Sequence, residues 1–567
     1  MRTYYTTLIY IAITFVFCCC SDNAKGEEPM PQPQVASQLK GSFESQYKRY
    51  AQGEKHAGQS NLAKIETEWR DTVWANDRVH KQIVLWTEQE ELTNLTYNMS
   101  DLKFGSHSIA SSNIRLRFPS YVLGDTKSLA CGEQASRQQI YIADALSETQ
   151  VTKVTQADPV KIWVTVDIPK ATKQGLYEGE LTVKLNGTEQ LVFNIKLLVA
   201  GHTLPDPKDW TYHLDIWQFP YQLTKLCVGS GVNITPFSSE YKTMMRSFYE
   251  KLADAGQTAV TTYIKDGAFN SGQTMVQWTL NPDNSWSFDY TDFDSFVEFM
   301  FSLGIDKQIN CFSLTGWSTA IGYYDAASSS NKTKKLAIGT SEYNDLWTIF
   351  LNSFRTHLRE KGWFSKAVLY LDETRNEEAR KIINLIQSND PEWKIGLAGS
   401  YIDEDIERAL YDYSTIYGYD RNSTNNTYTT FYTSCSQNVP NNYVTKETSP
   451  AEMVWMAWYA AAKGMNGYVR WAYDYWQSSD PVNIQDGTNT AGDFNMIYRT
   501  DNKATSKVVT SIRFELLREG IQDYEKIRSL SNAQLNAAVK TVTPATATNA
   551  ELIITKVQNI LKKVSLN

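Results

Sequence analysis

The chain has 567 residues, of which 42% are hydrophobic and 21% charged, and its formal net charge is -8. That length exceeds what one hydrophobic core sustains, so two or three domains are expected of an otherwise ordinary globular composition. The acidic balance, with no clustered basic residues, argues against nucleic acid as a partner.

Residues 1–20 read as an export signal, with Arg2 first, an apolar stretch from Leu8 to Phe17, and Cys18, Cys19 and Cys20 at its end. The stretch falls short of the ~20 residues needed to span a bilayer, which predicts a cleaved peptide rather than a membrane helix. A cysteine in that position, followed by Ser21 and Asp22, resembles a bacterial lipoprotein signal in which Cys19 or Cys20 becomes the acylated first residue. The expectation is an exported protein, periplasmic or anchored at the outer membrane, that touches the membrane only through this lipid. Residues 21–38, with Pro29, Pro31 and Pro33 among polar residues, read as a flexible tether.

Between 39 and 203 short alternating stretches separated by turn signals predict an antiparallel β-sandwich. Its clearest piece is Val160-Lys161-Ile162-Trp163-Val164-Thr165-Val166, then a turn at Gly175 and a strand around Leu181. Bracing of the neighbouring domain is the expected role. After Leu204-Pro205-Asp206-Pro207 the pattern changes to strands alternating with helices. Strands are expected at 214–217, 258–264, 309–312, 367–371, 395–398, 416–417, 431–433 and 467–472. The helices between them include one whose apolar set, Leu346, Trp347, Phe350, Leu351, Phe354 and Leu358, keeps to one face of a 3.6-residue period. Eight strands separated mostly by helices predict a (β/α)8 barrel over 204–525, with a short helical extension at 526–567; a doubly wound open sheet is the alternative.

The cysteines beyond the signal, Cys131, Cys227, Cys311 and Cys435, lie far apart without C-x-x-C spacing and make neither a zinc site nor a legible disulfide framework. There are six histidines and no H-E-x-x-H, and neither a G-x-S-x-G elbow nor a Gly-rich phosphate loop occurs. No metal or other cofactor is expected.

Asp372 and Glu373 end the apolar run Ala367-Val368-Leu369-Tyr370-Leu371. Such a run reads as a strand buried on both faces of a parallel sheet, and ligands in these sheets bind beyond the carboxyl ends of the strands. Two adjacent carboxylates repel, which raises the proton affinity of one and prepares it as a general acid. The competing reading is a helix start, since acidic residues favour first turns. Adjacent strand residues also point to opposite faces, so the two can share a pocket only if the pleat ends between them.

Three further segments carry a family resemblance: Lys463-Gly464-Met465-Asn466-Gly467-Tyr468-Val469-Arg470-Trp471-Ala472-Tyr473, then Gly492-Asp493-Phe494, then Ser511-Ile512-Arg513-Phe514-Glu515-Leu516-Leu517-Arg518-Glu519-Gly520-Ile521-Gln522-Asp523-Tyr524. With Leu371-Asp372-Glu373 and the preceding sandwich, they make the chain resemble glycoside hydrolase family 123, a family of N-acetyl-β-galactosaminidases. It departs from the family at Tyr498-Arg499-Thr500, where Tyr-Pro-Gly is expected.

The resemblance implies a retaining, exo-acting enzyme that removes terminal β-linked N-acetylgalactosamine from a glycan or glycolipid. Its implied mechanism is substrate-assisted: the 2-acetamido oxygen attacks the anomeric carbon and forms an oxazolinium-type intermediate. Glu373 is then the general acid and base, and Asp372 accepts a hydrogen bond from the acetamido N–H. Neighbours on one strand end suit this better than the usual pair of carboxyls about 5 Å apart across the scissile bond. Trp217, Tyr417, Tyr432, Trp471, Tyr473 and Trp476 are candidate sugar platforms, each with core packing as its alternative, and Arg470 is a candidate for clasping a hydroxyl or for an internal salt bridge. Two alternatives remain open: a hexosaminidase preferring the glucosamine epimer, and a surface lipoprotein that binds glycans without cutting them.

Overall fold

The computed structural model describes residues 38–54, 64–133, 137–267, 273–316, 318–419, 426–485 and 489–567. The export signal expected at 1–20, and the tether except for its last residue, lie outside them. Residues 39–567 form one unit in which a β-sandwich leads into a barrel.

One sandwich sheet has the order Leu39–Glu44, Arg78–Thr87, Val160–Asp167, Ile114–Asp125, Gln139–Ser147; the other is built around Glu68–Ala75, Thr188–Thr203 and Gly175–Leu185. Pairing is antiparallel except between Thr188–Thr203 and Glu68–Ala75, which run parallel. Inward residues such as Ile83, Leu85, Ile162, Val164, Leu181, Phe193 and Ile195 fill the space between the sheets. The strand Val160–Asp167 is buried on its other face as well, because Trp163 packs into the barrel's hydrophobic cluster while Thr165 accepts from Arg117 at 2.7 Å.

All eight expected barrel strands are present, in chain order His213–Ile216, Ala259–Tyr263, Gln308–Phe312, Ala367–Asp372, Lys394–Gly399, Asp412–Ile416, Tyr428–Tyr432 and Gly467–Arg470. They form one parallel sheet that curls until its first and second strands meet. At this seam two buried glutamines supplement the backbone ladder. Gln257 Oε1 accepts from Ile216 N at 2.9 Å and its amide donates to Ala259 O at 2.7 Å. Gln218 Oε1 accepts from Thr261 N at 2.8 Å, while the Gln218 backbone N–H donates to Thr261 Oγ1 at 3.1 Å. A side-chain amide has the donor and acceptor of a peptide group, so buried backbone polar groups stay satisfied where the strands diverge.

The sixth strand begins at Asp412, earlier than expected at 416, because its inward residues Asp412 and Ser414 are polar and hide the apolar signal. Asp412 accepts from Gln308 Nε2 at 2.7 Å and lies 3.4 Å from His213 Nε2 inside the barrel. Gly396 on the fifth strand is glycine for a steric reason: a Cβ there would lie 2.4 Å from the Tyr370 ring. Two hairpins, Gln277–Leu280 with Trp286–Asp289 and Ala320–Asp325 with Ser330–Lys335, join in a small outer sheet that the sequence pattern did not announce. The helix Ile512–Ser529 runs unbroken through residue 525.

Candidate active site

Asp372 is the last residue of the fourth strand, and Glu373 follows with φ +42°, in the left-handed region. That turn ends the pleat between them, so both residues line one cavity of about 530 Å³ at the carboxyl ends of the strands. The backbone N–H of Glu373 donates to Ala398 O at 2.8 Å on the neighbouring strand, which fixes the turn. Tyr432, at the end of the seventh strand, donates its hydroxyl to Glu373 Oε1 at 3.1 Å. Burial, then the charges of Glu373 and Asp372, raise the affinity of Tyr432 for its proton, so it stays a donor.

Trp217, just beyond the first strand, lines the cavity while only 3% exposed. Its ring meets Phe312 edge-on at 4.8 Å, and its Nε1 donates to Asp215 Oδ2 at 3.2 Å. Asp215 also accepts from Asn310 Nδ2 at 2.8 Å. Its side chain shares the inward face with Val469, Tyr432 and Ile416, all register partners across adjacent strands and all cavity-lining. Burial pushes the Asp215 carboxyl up to about 7. A carboxyl raised in the folded state binds its proton more tightly there than when unfolded. Its stabilising contribution is therefore complete below about pH 4 and is lost as the pH climbs to about 7. Asp215→Asn should flatten the fall in melting temperature over that window, measured by thermal unfolding at a series of pH values.

Trp471 lines the cavity beside Tyr475 and Phe494, with ring centroids at 5.8 and 4.6 Å. Tyr475 and Phe494 were not among the expected platforms, although Gly492-Asp493-Phe494 stood out in the sequence. Asp474 sets this corner by accepting from Phe219 N at 2.7 Å and Tyr249 Oη at 3.1 Å, which ties the loops after the first and eighth strands together.

The remaining four expected binding residues do not line this cavity. Tyr473 is buried and donates to Phe248 O at 2.7 Å; Trp476 is buried and donates to Ile497 O at 3.0 Å. Past Arg470 the chain has left the strand, so strand alternation no longer sets which aromatic faces the cleft. Tyr417 packs against Tyr459 and Trp455 of the helix Ala451–Lys463, on the outside of the sheet. Arg470 is fully buried in an ion pair with Asp493 and donates to the Thr433 carbonyl, so it holds the cavity wall rather than a sugar.

That wall includes a disulfide between Cys131 of the sandwich and Cys435, a pairing that was not legible in the sequence. A sequence separation of 304 left no spacing signal. Cys227 and Cys311 are buried and free. Leu129 N donates to Thr490 Oγ1 at 2.8 Å and Arg137 donates to the Asn489 carbonyl, so the sandwich braces the same wall beyond the disulfide. Among the described residues, no group of three metal-ligating side chains occurs and no helix is long and apolar enough to cross a membrane.

Chemically, the cavity sets two carboxyls and a tyrosine hydroxyl opposite an aromatic surface, an arrangement suited to a pyranose with one apolar face. Asp493 is the other acid among its described lining residues, and both its oxygens are engaged, with Arg470 and with Asn489 Nδ2 at 2.5 Å.

Comparison with known proteins agrees with this chemistry. Among solved structures, a family 123 glycoside hydrolase from Clostridium perfringens, studied for glycolipid glycan hydrolysis, superposes with a TM-score of 0.82 at 22% identity, covering 93% of this chain and 98% of that one. A Bacteroides ovatus GH5 xyloglucanase reaches a TM-score of only 0.27 at 9% identity, over 80% of this chain and 98% of its own, too little to carry an argument. No protein of curated function matches significantly in sequence. The model of the glycoside hydrolase 123 N-terminal domain matches residues 41–185, and that of the catalytic domain matches residues 217–530. With more than half of its length matched by the catalytic domain, the chain belongs to glycoside hydrolase family 123 and is a glycosidase.

Proposed function

We propose that this glycosidase removes terminal β-linked N-acetylgalactosamine with retention of configuration, using the substrate's own 2-acetamido group as nucleophile. The observation that carries the reading is the left-handed turn at Glu373, which presents Asp372 and Glu373 to one cavity. The engagement of Asp493 supports it, because a carboxylate neutralised by a buried arginine is poorly disposed to attack carbon.

In the first step Glu373 gives its proton to the glycosidic oxygen, the acetamido oxygen bonds to the anomeric carbon, and the aglycone leaves as an alcohol. Asp372 accepts the acetamido N–H and stabilises the positive charge of the oxazolinium ring, an effect enlarged in a water-poor cavity. In the second step Glu373 takes a proton from water, whose oxygen attacks the same carbon and reopens the ring. The intramolecular nucleophile contributes up to roughly 7–11 kcal/mol of proximity in good model systems. The C. perfringens relative makes a glycolipid glycan a fitting substrate class. The export signal at 1–20 would deliver the enzyme to the cell envelope.

Potent competitive inhibition by a galactosamine-derived thiazoline, a mimic of the bicyclic intermediate, is the expected result. Absence of inhibition in an active enzyme would favour a protein nucleophile. Paired assays on the nitrophenyl β-glycosides of N-acetylgalactosamine and N-acetylglucosamine should favour the former; the reverse ratio would reassign the substrate. No turnover of either would favour a glycan-binding protein.

A further inference from the structure

Beyond the cavity, the loop after the fifth barrel strand carries Tyr401, whose side chain is 70% exposed. Its φ is +57°, a left-handed conformation that glycine or asparagine adopts at less cost than a bulky residue. Its carbonyl accepts from Asn376 Nδ2 at 3.1 Å, and its ring meets Tyr419 nearly edge-on, with centroids 4.6 Å apart and planes at 60°. An exposed ring in a strained backbone adds little to folding, and such residues cluster where ligands are gripped.

Position indicates which ligand. Asn376 lies three residues after Glu373, and a Cβ on Gly399, two residues before Tyr401, would stand 3.9 Å from Glu373 Cα. The tyrosine pair therefore stands on the rim beside the proposed general acid, across the barrel from the aromatic surface formed after the eighth and first strands. A glycosidic oxygen protonated by Glu373 has the terminal sugar on one side and the leaving residue on the other. With the terminal ring in the cavity, the next ring projects past Glu373 onto this rim.

We infer that Tyr401, backed by Tyr419, is the stacking platform for the second sugar of the substrate, a hexopyranose that departs as the alcohol. This rests on the function proposed above and adds a leaving-group subsite to it. The flat ring covers the C–H face of a pyranose, and the edge contact with Tyr419 restrains it before substrate arrives.

The test compares Tyr401→Ala, Tyr401→Gly and Tyr401→Phe on an oligosaccharide ending in β-N-acetylgalactosamine linked to a hexose, and against the thiazoline, which fills the terminal-sugar site alone. The Ala and Gly variants should lose about tenfold in kcat/KM on the oligosaccharide, mainly through KM, the size of one stacking contact. Their thiazoline inhibition constants should stay at the parent value, and the Phe variant should behave as the parent. Tyr401→Gly should also melt higher than the parent, since glycine relieves the backbone while removing the platform. Unchanged oligosaccharide kinetics in the Ala and Gly variants, or thiazoline binding that weakens in step with them, would overturn the inference. A parent that cleaves no β-N-acetylhexosaminide would instead bring down the functional proposal on which it rests.

Discussion

Glu373→Gln is expected to lower kcat on an oligosaccharide substrate by about 10²- to 10⁴-fold, the usual worth of a positioned general acid and base. The fold should be indifferent to it. Glu373 is exposed, and a glutamine there keeps an amide oxygen that can accept from Tyr432 Oη. Leaving-group chemistry gives the variant a diagnostic signature. A dinitrophenyl aglycone departs without a proton, so its release should suffer far less than that of an alcohol in the first step. Asp372→Asn should behave differently, because Asp372 acts on the acetamido group in both steps. It should slow both substrates and weaken thiazoline binding, whereas Glu373→Gln leaves that binding largely intact. Steady-state kinetics with the two substrates, alongside thiazoline inhibition, separate the roles. Near-parental oligosaccharide turnover by Glu373→Gln would remove it from the chemistry.

The barrel was legible because strands such as Ala367–Asp372 are buried on both faces and read as continuous apolar runs between amphipathic helices. The same rule located the acidic pair at the fourth strand's end. It failed where function or the barrel interior demands polarity: Asp412 and Ser414 point inward, which shortened the sixth strand in the sequence pattern. It could not resolve loops beyond strand ends either, since Tyr473 and Tyr475 differ only in which way an irregular segment turns. One is sealed against Phe248 and the other faces the cavity. The objection that neighbouring strand residues diverge was sound for a regular pleat. The left-handed residue that answers it is a glutamate, at which no propensity rule anticipates positive φ. The seam glutamines and the Cys131–Cys435 bridge were equally hidden, because their partners are distant in sequence.

Arg513→Ala is expected to destabilise the protein by about 3–5 kcal/mol, the loss that follows when one member of a buried ion pair is removed. Arg513 belongs to the segment that carries the family resemblance most specifically, and nothing about it touches substrate. Its Nε donates to Asp144 Oδ2 of the sandwich at 2.9 Å, while Nη1 donates to the carbonyls of Asn442 at 2.8 Å, Asn495 at 2.8 Å and Gly492 at 3.2 Å. Gly492 has φ +88°, and a Cβ there would stand 3.0 Å from that same nitrogen, so this loop can close on the guanidinium only with glycine. Asp144 in turn accepts from Tyr498 Oη at 2.6 Å and from Arg49 at 3.2 Å. Arg499, at the departure from the family pattern, serves the loop after the eighth barrel strand instead, stacking on Trp476 at 5.3 Å and donating to Ser478 O at 2.6 Å. Truncating Arg513 leaves the Asn442 and Asn495 carbonyls without their donor, while Gly492 O keeps Asn442 Nδ2 at 2.9 Å, and it frees the loop that carries Asp493 and Phe494 to the cavity. Unfolding in denaturant should register the stability loss, and kcat/KM measured well below the melting temperature should fall as well. Asp144→Ala should destabilise too, since it strands two arginines, Arg49 and Arg513, in the interior. The double variant should cost less than the two single losses added together, as coupled neighbours do. Strict additivity would mean that Arg513 acts through the loop carbonyls alone, and that its pairing with Asp144 adds nothing to the hold of the sandwich on the cavity wall.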